Sequence, residues 1–199
     1  MSGSYSPRIK RSSPKLKLNG SNYRKKALSR LLADFGHRCA YSLRHIKVSG
    51  KTAMCVDHVN PTLAGRKKHV YTNLVPAVSQ CNGKKLANWP TKDDRKNGIR
   101  FLDPCSEQDY GEHLFEDPET HELVAASAAG QYHIDMLDLN AETFVWERKA
   151  RADFALLSGS GAKQFSGTFS QIKSKVVGMM DIVANSFDFF IPPIPPPPR

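Results

Sequence analysis

Asp57 and His58 stand side by side at the end of a short apolar run in CVDHVNPTLAGRKKHVYTNLVPAVSQCNGKK, residues 55–85. Asn73 follows fifteen residues after His58, and Asn82 nine residues after that, beside a cysteine and two lysines. A carboxylate, an imidazole and two carboxamides in a cationic stretch suit phosphodiester hydrolysis. That reaction needs a more nucleophilic water, and stabilised charge on the phosphate and on the leaving 3′ oxygen. A neutral imidazole meets the first need and one divalent cation the others. A hard cation such as Mg²⁺ prefers oxygen ligands, which Asp57 and Asn82 supply. Taken singly, each residue has a plainer reading: a structural histidine, a turn asparagine at 73, a helix cap at 82.

The elements that must position these groups are short. Apolar residues from Thr52 to Val59 predict a strand that delivers His58 near its end. Side chains alternate along a strand, so Asp57 and His58 serve one site only if the strand ends or twists there, and Asn60-Pro61 suits such an ending. NPTLAGRKKH reads as a polar, basic loop, VYTNLVPA as a second short strand, and residues from about Gln80 to Asn88 as a short helix stopped before Pro90. Upstream, SNYRKKALSRLLADFG predicts a helix with Ser21 or Asn22 as N-cap and Gly36 as stop, its apolar stripe formed by Ala27, Leu28, Leu31, Leu32 and Phe35. Downstream, HLFEDPETHELVAA predicts two extended pieces around a DPET turn. YHIDMLDLN predicts a strand, and the run from Asn140 to Ser158 a helix capped by Asn140. Residues 165–183 carry an apolar period of three or four, and the chain ends in a polyproline-II-like segment.

The 199 residues leave room for one globular domain with tails or two very small domains, and 40% hydrophobic residues suffice for a core. No apolar run approaches the roughly 20 residues of a membrane span, and residues 1–20 have charge but no apolar segment typical of a secretory signal. A soluble cytoplasmic protein with no membrane partner is the expectation. The net charge of +10 is uneven: residues 1–51 hold 13 Lys/Arg against one acid, whereas residues 101–199 hold 7 against 15. A cationic front half suits a polyanion, through counterion release, or is a solvated basic face; the acidic second half argues against a general solubility device. Cys39, Cys55, Cys81 and Cys105 show no C-x-x-C pair and read as reduced thiols.

The stretch from 57 to 85 resembles the HNH endonucleases, a branch of the His-Me finger (ββα-metal) superfamily. The matching residues are Asp57, His58 and Pro61 for DH-x-x-P, then Asn73, Leu74 and Pro76, then Cys81, Asn82 and Lys85 for CN-x-x-K. The resemblance implies an α+β fold with a ββα-metal core, flanking helices and a small acidic strand-helix extension. It implies His58 as general base and Asn73 as a loop brace that orients His58 by hydrogen bonding. Asp57 and Asn82 would hold one Mg²⁺ or Mn²⁺, and the products would carry a 5′-phosphate and a 3′-hydroxyl. The chain departs from the family at the zinc knuckle of many members. Cys39 and Cys81 remain, but Ser42 and Val78 replace the other two ligands, so structural Zn²⁺ is not expected. Cys39 and Cys81 then face each other as buried thiols, or a site is rebuilt with His37 or His45.

The region from FLDP to IDMLDLNAETFVWERKA is similar to the segment after the core in bacterial defence-associated HNH proteins. Among these are the HNH subunits of Septu and some retron anti-phage systems, which act with an ATPase partner. With it, the resemblance covers residues 22–157. His113 and Arg148 lie there and are equally explained by packing. Three functions stay open: a DNA endonuclease of defence or mobile-element biology, a nuclease subunit gated by a partner, and a silent nucleic-acid-binding module. The expected DNA contacts are Arg66, Lys67 and Lys68 in the loop beside His58, then Lys84 and Lys85. The expected organisation is a disordered basic tail (1–20), a nuclease core with its leading helix (21–100), an acidic extension (101–157), an amphipathic helix that docks on the core or a partner (158–191), and a Pro-rich tail (192–199).

Overall fold

The computed structural model describes residues 7–160, with side chains described as far as Asp153. Within them the chain is α+β, with seven α-helices and two small antiparallel sheets. The segments expected at 158–191 and 192–199 lie outside the described residues, apart from the last turn of α7.

Helix α1 (Tyr23–Asp34) buries Tyr23, Ala27, Leu31 and Leu32 and leaves Arg24, Lys25, Lys26 and Arg30 in solvent. The i, i+4, i+8 spacing of the buried set is what makes one helical face apolar. Gly36, at φ +57°, ends the element as expected. That face packs on a two-stranded sheet of β1 (Met54–His58) and β2 (Leu74–Val78), paired from Met54↔Val78 to His58↔Leu74. All five β2 residues are buried, so this strand is the centre of the core. Pro76, which has no N–H, sits within it, and its carbonyl accepts from Ala40 N at 2.8 Å. Two short helices flank β1: α2 (Ile46–Ser49) precedes it, and α3 (Gly65–Lys68) lies in the loop between β1 and β2. Helix α4 (Ser79–Lys85) leaves β2 with no intervening residue and turns Cys81 and Lys85, one helical turn apart, into the interior. Cys39 and Cys81 are both buried and free of disulfide bonding.

Residues 7–20 do not form the disordered tail that their composition suggests. Arg8 donates to both carboxylate oxygens of the buried Asp109, at 2.6 and 2.8 Å, and to Ala40 O at 2.8 Å. Arg11 donates to Leu74 O at 2.5 Å, Ser12 binds Asp34 through backbone and hydroxyl, and Ile9, Leu16 and Leu18 pack on the core. Composition misleads because a few side chains at 8, 9, 11 and 12 tie the strap to sites far away in sequence.

After α5 (Lys92–Lys96), capped by Thr91 with a reciprocal Asp94 contact, the acidic half forms a hairpin of β3 (Leu114–Glu116) and β4 (Leu123–Ala125). The expected strand YHIDMLDLN is instead helix α6 (Ala128–Leu137), capped by Ser127 and ended by left-handed Asp138. Its buried residues Ala129, Gly130, His133, Ile134 and Leu137 follow a helical period. The alternation of Tyr132, Ile134 and Met136 that suggests a strand is accidental. Gly130 is required: a Cβ there would stand 2.3 Å from the carbonyl oxygen of His113. Asn140 does not cap α7 (Glu142–Ser160); its carboxamide clamps Leu123 N and O at 2.7 and 2.9 Å. Arg148 on α7, almost fully buried, donates to His121 O, Leu139 O and Asn140 Oδ1. His113 binds Ser127 Oγ at 2.7 Å. Arg148 and His113 thus knit the extension together. No helix among the described residues is long and apolar enough to cross a membrane.

Candidate active site

Asp57 and His58 occupy the last two positions of β1, opposite Val75 and Leu74. The strand ends there, so the two neighbours reach one cleft of about 620 Å³ instead of opposite faces. Asp57 Oδ1 turns back to accept from the His58 amide at 2.7 Å. Asn82 and Gly83 reach the same cleft from α4, Tyr23 and Arg24 from α1, and Pro61, Lys68 and His69 from the β1–β2 loop.

Asp57 is buried and heavily bonded. Its Oδ2 accepts from the Tyr41 hydroxyl at 2.5 Å and lies 3.1 Å from Lys85 Nζ. Burial and the adjacent carboxylate push the Tyr41 phenol well above its ordinary pKa, so Tyr41 stays a donor. Lys85 is completely buried, and its second bond goes to His58 O at 2.6 Å. Burial lowers the Lys85 pKa, while Asp57 opposes the fall. Lys85 is therefore not a DNA contact, contrary to the sequence expectation. The i, i+4 relation to Cys81 turns it inward, where its charge holds the β1 end to α4. Lys84 points outward but pairs with Asp138 Oδ2 at 2.8 Å. Arg66 and Lys67 are exposed on α3, and Lys68 borders the cleft.

His58 is half-buried. Its Nε2 lies 3.2 Å from Nδ1 of His69, and Tyr23 packs its ring on both, at 4.8 Å between centroids. Burial first, then the electrostatic influence of His69 and of the cations Lys68, Lys85 and Arg24, lower the His58 pKa to about 4. The imidazole is thus neutral at physiological pH, the form a base requires. Asn73 does not touch this ring. Its Oδ1 accepts from Asn60 N at 2.9 Å, its Nδ2 donates to Asn60 O and Lys68 O at 3.1 and 2.9 Å, and its carbonyl accepts from Val59 N. It pins both ends of the 59–69 loop, and so places His69. His69 and Tyr23 are the residues that motif spacing misses; the one signal for His69 is its place at the end of the basic run RKKH.

Among the described residues no group of three His, Cys, Asp or Glu side chains is arranged to hold a metal ion. A hard cation asks less of the protein, since one or two oxygen ligands suffice with water and phosphate completing the sphere. Asp57 Oδ1 carries one hydrogen bond, so a lone pair remains for a cation. Asn82 is partly exposed in the same cleft. The donor chemistry fits a hard divalent ion.

No family model, curated protein or solved structure matches the chain.

Proposed function

We propose that the chain is a metal-dependent endonuclease with an HNH-like ββα-metal core, hydrolysing DNA phosphodiester bonds. The observation that carries this reading is the convergence of Asp57, a neutral His58 and Asn82 on one cleft bordered by Arg24 and Lys68. When bound, Mg²⁺ or Mn²⁺ held by Asp57 and Asn82 supplies charge against the phosphate and the leaving oxygen. The remaining work falls to side chains. With its proton on Nε2 donated to His69 Nδ1, His58 keeps the Nδ1 lone pair to take a proton from the attacking water. Tyr23 and the Asn73-pinned loop hold that pair of rings in register. Lys85 and Tyr41 fix Asp57 so that one oxygen stays turned to the cleft. Arg24, Lys68, Arg66 and Lys67 take flanking phosphates, a sequence-independent contribution.

A defence role with an ATPase or other partner belongs to the same proposal, and activity that appears only when a second protein is added would identify that gated form. The test is plasmid cleavage by the purified chain with Mg²⁺ or Mn²⁺, beside His58→Ala and Asn82→Ala. Wild type nicks or linearises the plasmid and both variants fail. Silence of wild type with every nucleic acid, under all metals and with no binding, rejects the reading.

A further inference from the structure

Leu86 closes α4 at φ 50° and ψ −132°, with its N–H bonded to Asn82 O at 2.9 Å. This is backbone territory that suits glycine, and a residue with a Cβ is strained there. Leu43 is a second leucine at positive φ, 60°, but its side chain is buried and gains the benefit of burial. Leu86 has no such compensation. It is 67% exposed, the most exposed large apolar side chain among the described residues. Glycine would close this helix with less strain and without an apolar group in water.

The side chain also lines the cleft of Asp57, His58 and Asn82. Its surroundings there are cationic: Arg24 on α1 and Lys68 on α3 border the same opening, and Ala87 extends the apolar lip. An apolar projection in an opening bordered by two cations complements one kind of surface above others. Nucleic acid places charged phosphates on either side of apolar base and sugar faces.

We infer that Leu86 is an apolar wedge that packs against the base step beside the scissile phosphate, while Arg24 and Lys68 take the flanking phosphates. Apolar side chains that unstack a step work in this way in the minor groove. The inference rests on the nuclease reading and adds the group that positions the strand over His58.

The test uses the full chain carrying His58→Ala, so that DNA is bound and not cut, with and without Leu86→Gly or Leu86→Ala. Affinity for duplex DNA is measured across a salt series, together with the fluorescence of 2-aminopurine placed through the duplex. Either Leu86 substitution weakens binding about tenfold, leaves the slope of log affinity against log salt unchanged, and abolishes the fluorescence rise that unstacking produces. Leu86→Gly also raises the melting temperature by a few degrees, as relief of strain requires. Unchanged affinity and fluorescence in both variants overturns the wedge. A change of about one in the salt slope also overturns it, because the lost contact is then a phosphate contact. If the chain with leucine in place binds no DNA, the nuclease reading fails and the wedge falls with it. If Leu86→Gly lowers the melting temperature, Leu86→Ala decides the outcome.

Discussion

Replacing Lys85 by Met removes an ammonium group that is wholly buried between Asp57 Oδ2 at 3.1 Å and His58 O at 2.6 Å. Methionine has nearly the same length and apolar volume, so the cavity it leaves is small and the electrostatic loss dominates. Asp57 keeps Tyr41 and the His58 amide as donors, but its charge then stands in the interior without a counter-ion. Breaking one side of a buried pair costs about 3–5 kcal/mol, and the unpaired His58 carbonyl adds roughly 1 kcal/mol. That is a large share of the ~5–15 kcal/mol by which single domains are stable. Urea unfolding of wild type, Lys85→Met, Asp57→Asn and the double variant measures it. Each single variant loses several kcal/mol, and the double variant loses less than their sum, by at least about 1 kcal/mol. A loss under about 1 kcal/mol for Lys85→Met with an unchanged urea slope, or strict additivity, refutes the inward placement of Lys85.

Arg8→Ala strands the buried Asp109 carboxylate and lowers stability by about 3–5 kcal/mol in urea, whereas a residue in a free tail would cost nothing. Asn73→Ala removes three hydrogen bonds from the 59–69 loop and costs roughly 1–3 kcal/mol; hydrogen exchange then quickens at Asn60, whose amide loses its acceptor. His133 is fully buried with Nδ1 accepting from Leu102 N, and burial lowers its pKa to about 4. The unfolded chain therefore binds this proton first as pH falls, so the His133 contribution is complete above about pH 6.5 and is lost between pH 6.5 and 4, by up to about 3 kcal/mol. His133→Gln flattens the measured stability–pH curve in that window; an unchanged curve contradicts the assignment.

The parts of the fold that the sequence announces are those where local pattern and tertiary need coincide. The α1 stripe, the end of β1 at His58, the β3–β4 hairpin and the short helix holding Asn82 belong to this class. The misreadings come from contacts distant in sequence. Arg8 finds Asp109 across a hundred residues, which no composition rule for a Ser-, Pro- and Lys-rich segment registers. Helix α6 alternates apolar and polar residues by chance, and its period emerges only once packing against α4 and β4 selects which residues are buried. Within the cleft, motif spacing points to Asp57, His58 and Asn82 but says nothing of direction. Lys84 and Lys85 are adjacent in sequence, yet one pairs at the surface with Asp138 and the other is sealed against Asp57. His69 and Tyr23 carry no spacing signal, because their place beside His58 follows from the Asn73-pinned loop and from the docking of α1.

The proposed chemistry turns on His58 as the base that activates water. Single-turnover cleavage of an end-labelled DNA duplex at saturating enzyme isolates that step, with wild type set against His58→Ala and binding measured on the same samples. Loss of the base leaves affinity unchanged and lowers the rate by about 10²–10⁴-fold, and wild-type products carry 5′-phosphate ends. Cleavage by His58→Ala at the wild-type rate would contradict the assignment.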